Sequence, residues 1–78
     1  MVKTYSQIYM ECRRALRAQE DDRDASFLAR NLLCHFAGKS MEQLLTGMEL
    51  YASEEVCLAM EDATKRLLNQ EQIGRAHV

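Results

Sequence analysis

Cys34 and His35 stand side by side, a thiol able to act as a nucleophile and an imidazole able to take its proton. Neighbours on a helix point about 100° apart, so the pair does not meet at hydrogen-bond distance. Cys34 then reads as a core thiol and His35 as a surface histidine. Cys12, Cys34 and Cys57 fall one to a helical segment with no CxxC pair, which suggests neither a zinc site nor a disulfide framework. A reducing, cytoplasmic setting is expected. Glu20-Asp21-Asp22-Arg23-Asp24 imitates a cation loop but lacks the glycine and terminal bidentate glutamate of an EF-hand, and is expected to be a solvated connector. No Gly-rich phosphate loop or nucleotide fingerprint is present. No residue is assigned as catalytic, cofactor-binding or metal-ligating. Arg13, Arg14 and Arg17 remain, with Arg30 expected nearby, as a possible cationic face for an acidic partner. An ordinary solvated helix face is the alternative.

The elements that would position these residues read as helices. Tyr5, Ile8, Tyr9, Cys12, Ala15 and Leu16 recur at the spacing of one helix face, and Thr4 with Gln7 forms a capping-box pattern, predicting a helix over about 5–19. Asp24 is expected to cap a second helix, about 25–37, whose face is Ala25, Leu28, Ala29, Leu32, Leu33 and Phe36 and whose end is Gly38. Ser40 and Gln43 repeat the box before a helix over 41–46 that stops at Gly47. It needs neighbours to persist, being too short to hold alone in water. Met48 to Ala52 is a connector with apolar anchors, and Ser53 starts a fourth helix, about 54–69, with a stripe of Val56, Ala59, Met60, Ala63 and Leu67. Lys65 and Arg66 are placed at its negative end. The fold class is therefore all-α, a small bundle of about four helices. The absence of proline and of alternating β-branched runs argues against a sheet.

A chain of 78 residues is at most one small domain. At this size only roughly 60% of the unfolded surface is buried, so the chain is expected to be a piece of something larger. Apolar residues at 47% and charged residues at 28% are those of a globular chain, and a net charge of −2 offers no general attraction to nucleic acid. No apolar run is long enough for a signal peptide or a membrane span.

Asp24-Ala25, then Leu32-Leu33-Cys34-His35-Phe36-Ala37-Gly38-Lys39-Ser40, then Glu42-Gln43-Leu44-Leu45, and finally Lys65-Arg66 resemble the N-terminal helical domain of the peptide-chain release-factor glutamine methyltransferases. The resemblance spans about Ala15 to Glu71 and is one of order and spacing. It breaks down at Asn69-Gln70-Glu71-Gln72, where the family has an Arg-rich, Gly-Glu-Pro turn and only Glu71 matches. It implies a parent enzyme whose larger C-terminal domain binds S-adenosylmethionine and methylates the glutamine of the Gly-Gly-Gln loop of translation release factors. It also implies that residues 1–72 help grip the release factor, with the methyltransferase domain missing and no catalytic residue to carry over. The competing expectation is a free-standing helical interaction or regulatory protein.

Ile73-Gly74-Arg75-Ala76-His77-Val78 resembles the in-frame translation of a common short-read sequencing adapter that runs into a stop codon, and 73–78 is expected to be non-native. A foreign tail has no partner selected to pack against it. Deleting residues 73–78 should leave the thermal unfolding midpoint unchanged within measurement error. A loss of several degrees would overturn the expectation.

Overall fold

The computed structural model describes the backbone of residues 2–77 and the side chains of residues 2–69. Residues 73–78, set apart in the sequence, lie outside those with described side chains. The chain forms α1 (Tyr5–Leu16), α2 (Asp22–Ala37), α3 (Met41–Thr46) and α4 (Glu54–His77). It is an all-α four-helix bundle. The described residues contain no strand, only an isolated antiparallel bridge between Thr4 and Tyr51.

The start of α1 accounts for each of its first backbone donors. Thr4 Oγ1 accepts from the Gln7 N–H at 3.1 Å, and Gln7 Oε1 accepts from the Thr4 N–H at 3.0 Å, closing the expected box. The Tyr5 and Ser6 N–H groups, which no helix can satisfy internally, donate to the carbonyls of Leu50 and Met48 at 3.0 and 2.9 Å. The Ala52 N–H donates in return to the Lys3 carbonyl at 2.8 Å. The connector before α4 is thus bound to the N-terminus by its backbone, and its side chains Leu50 and Tyr51 are left exposed. Met48 and Ala52 are its anchors to the core.

Helix α1 ends at Leu16 rather than near Gln19, because the Ala18 and Gln19 N–H groups turn to the carbonyls three residues back. The Gln19 side chain then donates to the Leu68 carbonyl at 3.2 Å. With Lys3 bound to Ala52 at one end and Gln19 to Leu68 at the other, α1 and α4 run side by side in one direction. Helix α2 starts three residues earlier than expected. Asp21 is its cap, accepting the Asp24 N–H at 2.8 Å, so Asp24 lies inside the first turn instead of before it.

Gly38 ends α2 with φ +67, the left-handed region where a side chain is strained. That bend lays the Lys39 ammonium 5.7 Å from the Tyr5 ring centroid, and Ser40 at once caps α3. Helix α2 therefore runs antiparallel to α1, with its end beside the start of α1.

Among the described residues the core is a single cluster. Tyr5, Ile8, Cys12 and Leu16 of α1 meet Ala25, Ala29 and Leu33 of α2, Leu44 of α3, and Cys57 and Met60 of α4. Two expectations shift here. Phe36 is 37% exposed while Ala25, Ala29 and Leu33 carry the buried face of α2. On α4 the most buried residues are Cys57, Met60 and Thr64; of the expected stripe Met60 lies in the core, Val56 and Leu67 pack against it, and Ala59 and Ala63 are half-buried. Thr64 is tolerated inside because its hydroxyl donates to the Met60 carbonyl one turn back, at 2.7 Å. Helix α4 also continues past Lys65 and Arg66, since no proline or glycine interrupts residues 54–73. Arg66 pairs with Asp62 at 3.0 Å, one turn back, rather than completing a helix end.

Adjacent leucines of α3 separate packing from composition. Leu44 is 0% exposed and Leu45 52% exposed. Leu44→Ala should cost about 2–5 kcal/mol of unfolding free energy, whereas Leu45→Ala should stay within about 0.5 kcal/mol. Equal losses in chemical denaturation would show that α3 does not pack as described.

Candidate functional site

Arg13, Arg14 and Arg17 come together where α1 gives way to the turn into α2. With Met10 they line a surface depression of about 210 Å³. Their proximity follows from helix geometry, since positions three and four apart share a face. Arg30 does not join them. Its Nε donates to the Ser26 carbonyl on its own helix at 3.4 Å, and it does not line the depression.

Among the described residues one carboxylate pairs with the arginines. Asp22, the first residue of α2, accepts at Oδ1 from Arg13 Nε at 3.0 Å and Nη2 at 2.7 Å, and Arg17 Nε stands 3.6 Å from the same oxygen. Arg14 makes no ion pair among the described residues. The hydrogen bond from Arg13, then the charges of Arg13 and Arg17, outweighs desolvation and holds the Asp22 carboxyl below the ordinary carboxylate range. The same hydrogen bond and charge push the Arg13 guanidinium further up. Asp22 was hidden in the sequence within a run expected to be solvated. The readable signal was Asp21 followed three residues later by Asp24, which places Asp22 at the first helical position beside the last turn of α1.

The remaining chemistry-bearing groups are used structurally. Asp21 is the α2 cap and Asp22 the arginine partner, and among the described residues no three His, Cys, Asp or Glu side chains converge on a possible metal position. The His35 ring packs edge-on against Phe36, with centroids 5.1 Å apart and planes at 75°. Cys34 is half-buried against the core. A second groove, also of about 210 Å³, runs between α1 and α4 past Ile8, Cys12, Cys57, Met60, Thr64 and Leu68. Its chemistry is muted. Burial pushes the Cys12 thiol up, away from the reactive thiolate, although the Thr64 hydroxyl 3.2 Å from its sulfur opposes the shift. Lys3 and Glu11 pair at its edge at 2.6 Å.

The arginine cluster presents positive charge that a carboxylate can meet, as Asp22 does. Among the described residues no helix is long and apolar enough to cross a membrane. Comparisons with protein families, characterised proteins and solved structures returned no match.

Asp22 links the cluster to stability. Its pKa is lower in the folded than in the unfolded chain, where it is about 3.9, so the ion pair's contribution is fully present above that value. It is lost as pH falls through the folded value. Asp22→Asn should therefore lower the neutral-pH stability and flatten its decline below about pH 4. An unchanged acid limb in denaturation across pH would remove the pair from the stability balance.

Proposed function

We propose that residues 1–72 are the release-factor-docking domain of a glutamine methyltransferase whose S-adenosylmethionine-binding catalytic domain is a separate C-terminal part. The observation that carries this reading is the corner Gly38-Lys39-Ser40, where the three residues of the resembling motif have three distinct tasks. Gly38 stops α2 in a left-handed conformation, Lys39 covers Tyr5, and Ser40 starts α3. Leu33 and Leu44, on either side, are fully buried, so the motif's spacing is the spacing of a core built across the corner. Lys65-Arg66 fits less well, since it lies within α4 rather than at its end.

On this reading the chain itself performs no methyl transfer. The parent enzyme works in the cytoplasm on a protein substrate, with no direct role for nucleic acid or membrane. Arg13, Arg14 and Arg17 steer an acidic region of the release factor, and the catalytic domain orients the poorly nucleophilic glutamine amide. A free-standing helical interaction protein is the second reading, favoured by the exposed Leu45, Leu50 and Tyr51 around the connector.

A chimera separates the two. Residues 1–72 joined to a catalytic domain of the family should raise methylation of a Gly-Gly-Gln release factor at limiting substrate above that of the catalytic domain alone. Replacing Arg13, Arg14 and Arg17 together by Gln should lower that efficiency about three- to tenfold at low salt, flatten its salt dependence and leave turnover at saturation unchanged. No gain from the helical domain in the unaltered chimera would exclude the docking role.

A further inference from the structure

We propose that the Asp22 carboxylate is an internal occupant of an acidic-peptide site formed by Arg13, Arg14 and Arg17, and that a partner's carboxylate binds there by displacing it. The inference rests on the docking role assigned above to these arginines.

The geometry favours exchange. Both Arg13 contacts, and the longer approach of Arg17, converge on the single oxygen Oδ1. A guanidinium is best satisfied by two parallel bonds to two carboxylate oxygens, and Asp22 supplies one. The Asp22 side chain is tied to the first turn of α2, which fixes the direction of its approach. A carboxylate on an incoming peptide has no such tether and can meet the fork with both oxygens. The pair lies at the surface, with side-chain exposures of 28% and 55%, so water competes for it and it is weakly held. Arg14, without an ion pair among the described residues, adds attraction that Asp22 does not cancel. The depression beside Met10 gives an incoming chain a place to lie. A carboxylate is the chosen ligand because a carboxylate already fills the site.

Displacement makes Asp22 a competitor. Apparent affinity is lowered by the fraction of molecules in which the arginines are occupied internally. A fluorescein-labelled hexaglutamate peptide, with hexaglutamine as the uncharged control, is titrated into the full chain at low ionic strength. Asp22→Asn should tighten hexaglutamate binding about two- to fivefold, the range that a surface ion pair of this kind can withhold. Asp24→Asn makes the same charge change on the same turn, at a residue without an ion pair among the described residues, and should tighten it distinctly less.

Replacing the three arginines by Gln should abolish binding. If it does not, both the docking role and the displacement are overturned. If it does, but Asp22→Asn tightens binding no more than Asp24→Asn, the docking role survives and displacement is overturned. In the unaltered protein the Asp22 carboxyl carbon resonance should move as peptide is added, and an unmoved resonance also overturns displacement. Tighter binding of a phosphoserine peptide of equal net charge would overturn the choice of a carboxylate ligand.

Discussion

The buried face of α2 is the constraint on which the bundle depends. Ala25, Ala29 and Leu33 recur every fourth residue and are completely buried, and α1, α3 and α4 all pack against this one helix. Alanines on successive turns present little side chain to the neighbouring helices, and Leu33 packs into the same core beside the corner with α3. The cost of this arrangement is intolerance. A larger side chain at Ala25 or Ala29, both 0% exposed, must push against the neighbours packed on it.

From that constraint follows the division of labour on α1. One face supplies Tyr5, Ile8, Cys12 and Leu16 to the core, and the other carries Arg13, Arg14 and Arg17 toward solvent. The core holds the helix axis in place, so the arginines need no buried partners of their own. Asp22 reaches two of them because the turn between α1 and α2 is short, not because the fold requires the ion pair.

Much of this was legible from local chemistry. Thr4 with Gln7, Ser40 with Gln43, and Gly38 each act within a few residues, and each does in the structure what its type and spacing predict. Where competing signals were close together, the reading slipped. Asp24 was expected to cap α2, but Asp21 is the cap and Asp24 supplies the N–H it accepts. On α4 the stripe lacked Thr64 because a threonine reads as polar until its hydroxyl is seen to bond its own helix. The Arg13–Asp22 pair joins two helices across a turn, and helical periodicity gives no measure of distance across a turn. The backbone bonds between the N-terminus and the connector were equally invisible, because main-chain donors and acceptors carry no sequence signature.

Those backbone bonds also bear on the order in which the chain matures. The acceptors for the first donors of α1 are Leu50 and Met48, more than forty positions later in the chain. During synthesis α1 and α2 can form their hairpin while the Tyr5 and Ser6 amides still face water, because their partners have not yet emerged from the ribosome. Long-range closure of this kind is entropically slower than helix pairing between neighbours. The amino-terminal turn of the first helix made is therefore among the last parts of the fold to be secured.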